Sequence, residues 1–224
     1  RPIGDLVASL NNIGAKIEYA KISGYPPLII HPSKMIKQKI DIGGEVSSQF
    51  LTSLLIASPI FSKNKELEIR VNGPLISKPY VKITLQLLKL FGLKVLERKD
   101  NDYLIQENQN YSNPKEIYIE GDASSATYFL AAAAISGKLI RVNGVGNNSI
   151  QGDIKFIEIL TKMGAIVRTS ENWIEVTSNK QLIAIDEDYN DIPDAAMTVA
   201  ILALYAKGKT VIRNIGSWRV KETD

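Results

Sequence analysis

Apolar positions along the chain change period in a regular order. In RPIGDLVASLNNIG, Ile3, Leu6, Val7, Leu10 and Ile13 recur at helical spacing and Gly14 follows, a pattern that predicts a helix closed by glycine. Val81, Leu85 and Leu88 mark a second helical face ended by Gly92, and Ile154, Ile157 and Leu160 a third ended by Gly164. Stretches with alternating or β-branched residues follow, such as Trp173-Ile174-Glu175-Val176, and these predict paired strands.

The predicted elements repeat. RVNG occurs at residues 70–73 and again at 141–144. Ahead of each lies a serine pair opening an apolar helix, SSQFLTSLLIA from Ser47 and SSATYFLAAAA from Ser124. Behind each, KPYVKITLQLLKLFGLKVLERKDNDYLIQ and QGDIKFIEILTKMGAIVRTSENWIEVTS share one plan of loop, helix, glycine and two strands. Each unit therefore reads strand–helix–strand–helix–strand–strand. The segment RPIGDLVASLNNIGAKIEYA supplies only the second half of such a unit, and NDIPDAAMTVAILALYAKGKTVIRNIGSWRVKETD only the first half. A repeat unit buries its apolar face against its neighbours, so the chain is expected to be the middle of a longer protein. The domain seam is expected near residues 114–119, after a polar stretch, giving domains of residues 1–119 and 120–224.

Composition narrows the function classes. Hydrophobic residues make up 45%, enough for full cores, and the net charge is +3 with Lys and Arg scattered among acids. That leaves no clustered basic face for nucleic acid or membrane. The absence of cysteine excludes a disulfide framework, a thiolate metal site and a cysteine nucleophile within these residues. The longest apolar run, residues 128–135, is far shorter than a membrane span, and the first ten residues do not read as a signal peptide. A cytoplasmic location is expected.

Candidate chemistry collects at predicted helix starts. Ser47 and Ser48, with Gln49 beside them, open one helix, and Ser77 and Tyr80 in SKPY lie in the equivalent loop of the next. Helix N-termini suit phosphates and carboxylates, although serine is also simply a favoured N-cap. Asp194 in NDIPDAAM stands at a helix start where the other units place serine or alanine, which fits either a cap or a general base. WRVKETD sets Lys221 beside Glu222, either a phosphate clamp with an acid or a solvated charged face. Three signals are set aside. IDEDYND opens like a calcium loop but has Asp191 where glycine is needed and Met197 where the bidentate glutamate is needed. GVGNNSIQGD lacks the GK[ST] ending of a phosphate loop. His31, the lone histidine, cannot build a histidine-based metal site.

In order, RPIGDL, VSSQFLTSLL, SKPYVKIT, EGDASSATYFLAAAAI, NSIQGDI, IPDAAMT and WRVKETD make the chain resemble the 5-enolpyruvylshikimate-3-phosphate synthase family over essentially its whole length. The resemblance implies an α/β (mixed α+β) fold, a two-domain inside-out α/β barrel of repeated βαβαββ units, truncated here at both ends. It implies transfer of the enolpyruvyl group of phosphoenolpyruvate to the 5-hydroxyl of shikimate 3-phosphate by a monomeric enzyme, with no metal and no organic cofactor. Such a reaction demands charge compensation for two phosphates and a carboxylate, and paired proton transfer.

By the same resemblance, Arg1 binds phosphoenolpyruvate and Gln49 touches both ligands. Ser47, Ser48 and Ser77 form the shikimate 3-phosphate pocket, lined by Tyr80. Asp194 binds the acceptor and takes its proton, Lys221 binds the acceptor, and Glu222 handles the proton at C3, although the sequence alone leaves open which carboxylate performs which step. Ser217 stands where relatives often carry an acceptor-binding asparagine. The family's N-terminal Lys/Ser/Arg loop, its glycine loop and several later basic residues have no counterpart here, so the isolated chain is expected to be inactive. The competing readings are UDP-N-acetylglucosamine enolpyruvyl transferase, which lacks the EGDASSATYFLAAAAI and SKPYVKIT patterns, and a noncatalytic ligand-binding module of the same fold.

Overall fold

The structure is a computed structural model that describes residues 2–45, 47–216 and 218, with Asp100 described in its backbone alone. The chain forms two compact units, Arg1–Glu116 and Ile117–Asp224.

The first unit opens with α1 (Gly4–Asn12) and the antiparallel pair β1 (Lys16–Tyr19) and β2 (Leu28–His31). A complete βαβαββ repeat follows: β3 (Lys39–Gly43), α2 (Ser48–Phe61), β4 (Leu67–Asn72), α3 (Lys78–Leu90), β5 (Val95–Glu97) and β6 (Asp102–Ile105). The sheet order is β3-β4-β6-β5, with β3 and β4 parallel and the remaining pairs antiparallel. Alternation along β3 and β4 buries Ile40, Ile42, Leu67, Ile69 and Val71 in one core with Leu51 and Leu55 of α2 and Val81 and Leu88 of α3. The helical stripe of Val81, Leu85 and Leu88 is thus the buried face of α3, Leu85 being partly buried. Gly92 follows α3 with φ +83°, the left-handed conformation that ends helices.

The second unit contains α4 (Ala123–Ser136), β7 (Ile140–Asn143), a 3-10 turn (Gly152–Lys155) running into α5 (Phe156–Lys162), β8 (Ile166–Thr169) and β9 (Trp173–Thr177). The sheet order β7-β9-β8 is antiparallel throughout. A half-repeat follows, with β10 (Asp186–Asp188) and β11 (Val211–Arg213) paired in parallel on either side of α6 (Pro193–Ala203) in sequence. The core joins Ala126, Leu130, Ala133 and Ala134 of α4 with Ala195, Ala196, Val199 and Leu202 of α6. All sheets are open, and no closed barrel forms among the described residues.

Two expectations need correction. The strand expected before α4 does not form: residues 117–120 lie outside any strand. Ile117, Tyr118 and Ile119 are exposed, so no burial offsets the cost of ordering them. One backbone bond, Gly121 N–H to Gly144 C=O at 2.6 Å, ties this segment to the end of β7. The start of α4 also shifts. The helix begins at Ala123, ahead of its serine pair, because Asp122 rather than a serine supplies the cap.

The repeated RVNG has a structural use. Arg70 sits opposite Asp102 in the β4–β6 register and pairs with it at 3.4 Å. Arg141 sits opposite Glu175 in the β7–β9 register, pairs with it at 2.6 Å and lies 4.3 Å from the centre of the Trp173 ring.

Candidate active site

Parallel β3 and β4 deliver their carboxyl ends side by side, with Gly43 in register with Asn72. The loops leaving those ends start α2 and α3, and they are stitched together. Gly44 N–H donates to Asn72 C=O at 3.0 Å, and Ile76 N–H donates back to Gly44 C=O at 3.2 Å. A Cβ on Gly44 would lie 2.7 Å from the Pro74 carbonyl oxygen and 2.8 Å from Val71 Cγ1, so this approach requires glycine.

The stitching holds two helix N-termini together. Ser47 caps α2, its Oγ accepting from Gln49 N–H at 3.2 Å. Ser48 is buried in the first turn and Gln49 is exposed. Ser77 occupies the N-cap position of α3 in the left-handed region (φ 53°, ψ 39°) and makes no capping bond with its side chain. A non-glycine residue there is uncommon, and such strain gathers at ligand sites. Tyr80 lies in the first turn of α3, with its side chain exposed. Neither helix has an acid in its first turn, and Lys78 adds a positive charge, held by Asn101 at 3.0 Å and by Glu97 at 3.7 Å. Two positive dipole ends without an internal counter-charge in their first turns can bind an anion with hydroxyl groups close by. Arg1 lies outside the described residues.

In the second unit, Asp194 is half-buried in the first turn of α6. It does not hold the N-cap position, which Ile192 occupies without a side-chain capping bond. Pro193 takes the first helical position, where its missing N–H costs nothing and its fixed φ suits the helix, and this moves the acid inside. Trp218 Nε1–H donates to Pro193 C=O at 2.8 Å, bringing the start of WRVKETD to the residue beside Asp194. Ser217, Lys221 and Glu222 lie outside the described residues.

The start of α4 is built differently. Asp122 accepts from Ser124 N–H at 3.0 Å and from Ser125 Oγ–H at 2.5 Å. Ser124 Oγ–H donates to the buried Asp153 in the 3-10 turn. Gln151 accepts from Ala123 N–H at 2.8 Å, and its amide donates to Gly121 C=O at 2.8 Å and to Glu120 at 2.9 Å. Glu120 also accepts from Ser149 Oγ–H and Ile150 N–H. Burial pushes the Glu120 carboxyl up, but the bonds from Ser149, Gln151 and Ile150 outweigh burial and hold it below its usual range. Sequence reasoning missed this cluster. The available signal was the alignment of the repeats, which puts Asp153 where the first unit has Tyr80 and Ser124 where it has Ser47.

The signals set aside also find structural uses. Arg213 donates to both oxygens of Asp186 at 2.6 Å, and Asn214 donates to Asp188 at 2.6 Å, so these acids clamp β10 to β11. His31 lies 3.5 Å from Glu18 across the β1–β2 pair. Among the described residues no group of three His, Cys, Asp or Glu could hold a metal ion, and no helix is long and apolar enough to cross a membrane.

A βαβαββ repeat followed by a parallel half-repeat places the chain in a class of α/β fold shared with solved structures described as an EPSP synthase and an enolpyruvyl transferase. EPSP synthase from Acinetobacter baumannii superposes with a TM-score of 0.76 at 24% identity, covering 100% of this chain and 51% of that one. The enolpyruvyl transferase NikO from Streptomyces tendae gives 0.68 at 14% identity, covering 95% of this chain and 51% of that one. The family described as EPSP synthase (3-phosphoshikimate 1-carboxyvinyltransferase) matches residues 1–224, and the chain belongs to that family. Relatives named 3-phosphoshikimate 1-carboxyvinyltransferase from Janthinobacterium sp. (strain Marseille) and Buchnera aphidicola subsp. Acyrthosiphon pisum (strain APS) are each 55% identical over 224 residues. Both matches cover 100% of this chain, which spans 51% of the first relative and 52% of the second.

Proposed function

We propose that the chain supplies the acceptor-binding part of a cytoplasmic, metal-independent enzyme that joins phosphoenolpyruvate to shikimate 3-phosphate. The observation that carries this reading is the stitched pair of acid-free helix starts at α2 and α3, in a chain that matches its family over residues 1–224. The acceptor's phosphate sits on the N–H groups and hydroxyls of Ser47, Ser48 and Ser77, with Tyr80 along its ring. Gln49 reaches both ligands. Asp194 takes the proton of the 5-hydroxyl as that oxygen attacks C2 of phosphoenolpyruvate, while C3 gains a proton through Glu222. The tetrahedral adduct then loses phosphate from C2 and a proton from C3, which restores the double bond and leaves the enolpyruvyl ether. Arg1 and Lys221 supply cationic charge, and Ser217 adds a hydrogen bond to the acceptor. An acid and a base in different surroundings suit such paired transfers.

Phosphate release from phosphoenolpyruvate by the full-length protein tests the reading. Turnover is expected with shikimate 3-phosphate and not with UDP-N-acetylglucosamine. The 224-residue chain alone is expected to be inactive. Turnover with the nucleotide sugar, or none with either acceptor from folded full-length protein, overturns it.

A further inference from the structure

Two threonine pairs, one buried and one part-buried, stand one helical turn behind residues assigned to the ligand. In the second unit, Thr127 Oγ1 and Thr198 Oγ1 lie 2.9 Å apart, with exposures of 1% and 5%. Thr127 donates its single hydroxyl proton to Ser124 C=O at 2.6 Å, so Thr198 is the donor in the pair. In the first unit, Thr84 donates to Tyr80 C=O at 3.1 Å and lies 3.1 Å from Thr52, so Thr52 is the donor there. Thr84 follows Tyr80 by four residues, and Thr198 follows Asp194 by four. Residues so spaced share one helix face.

Apart from the threonines and Pro193, the side chains buried on α4 and α6 are Ala, Leu and Val. Such surfaces attract without direction, so they leave the rotation of one helix against the other loosely defined. A hydrogen bond between buried hydroxyls is directional, and breaking it leaves a buried polar group unsatisfied. Helix α4 is itself fixed at its start by Asp122 and by the Ser124–Asp153 bond. A run of bonds therefore passes from Asp153 through Ser124 and Thr127 to Thr198, ending one turn from Asp194.

We infer that Thr198, through its bond to Thr127, is a positioning residue for Asp194. It sets the rotation of α6 and so the aim of the carboxylate at the reacting hydroxyl. This rests on the proposed role of Asp194. In the full-length protein, T198V is expected to lower kcat about tenfold, since small misplacements near reacting groups cost rate heavily. The KM for phosphoenolpyruvate should stay within about twofold, and T198S, which keeps the hydroxyl, should recover most of kcat. The double variant T127V/T198V replaces both partners with apolar groups of the same shape. It should melt near the parent temperature and still turn over slowly, which separates positioning from stability. Parental kcat in T198V or in the folded double variant, alongside a slow D194N, overturns the positioning role. So does T198S as slow as T198V. Full turnover by D194N overturns the role of Asp194 itself and this inference with it, a result distinct from the others.

Discussion

The starts of α2 in the first unit and α4 in the second are counterparts in the repeat, yet they end in opposite electrostatic states. Both carry a serine pair at or just inside the helix start, and both sit beside the start of a second helix or turn. In the first unit a serine hydroxyl caps α2, a left-handed serine opens α3, and no acid lies in either first turn. In the second, Asp122 caps α4 and Asp153 takes the bond from Ser124. The dipole end is met by internal carboxylates in one case and left for an external anion in the other. Serines at a helix start therefore do not by themselves define a site. Ser124 and Ser125 serve their own protein's acids, and it is the missing acid beside Ser47 and Ser77 that suits a phosphate.

Replacing the acid at the start of α6 gives the largest expected effect. Asp194→Asn in the full-length protein should reduce kcat by about 10²–10⁴, the usual worth of a general base, while circular dichroism remains that of the parent. A reduction under threefold would separate α6 from the reaction and leave Asp194 a structural acid like Asp122. Next, Ser47→Asp imports the second unit's solution into the first. Aspartate caps as well as serine, so the melting temperature should hold. The KM for shikimate 3-phosphate should rise about tenfold, roughly 1.4 kcal/mol. An unchanged KM would mean that an acid at the start of α2 does not exclude the acceptor's phosphate.

The reverse change should touch stability alone. Asp153→Ala strands the Ser124 hydroxyl in a partly buried setting and should cost about 1–3 kcal/mol in denaturant unfolding, with KM for the acceptor unaltered. A raised KM would show that the filled helix start also serves the ligand. The smallest effect concerns Glu120. Its folded-state pKa is depressed, so its contribution is present above the unfolded pKa and fades as pH falls through the folded value. Glu120→Gln should therefore flatten the loss of stability on acidification, read as a smaller drop in melting temperature between neutral and acid pH. An identical acid profile would remove Glu120 from the account.

Much of the fold was legible because it follows from local periodicity. Val81, Leu85 and Leu88, with Gly92 behind them, are enough to place α3 and its buried face. The repeat supplied the order of strands around it. What failed depends on burial or on long-range bonds. The plan of the repeat puts a strand ahead of α4, but Ile117 and Ile119 are exposed and the ladder does not form. The Glu120–Gln151 cluster joins residues about thirty positions apart, beyond any local pattern. In the candidate site, Ser47, Ser48 and Ser77 could be placed at helix starts from the repeat, but the left-handed backbone of Ser77 could not, since serine gives no such cue. The cap of α4 was hidden by a more conspicuous serine pair two residues on.

Gly44 gives one hydrogen bond to the last residue of β4 and takes one from the loop that opens α3. Both arms of the proposed acceptor pocket are therefore geared through a single residue where no side chain fits. Any attempt to reshape the pocket for a bulkier or differently charged acceptor by altering one loop will move the other with it. Redesign of this site has to treat the two helix starts as one part, with residues 73–77 and 44–49 varied together.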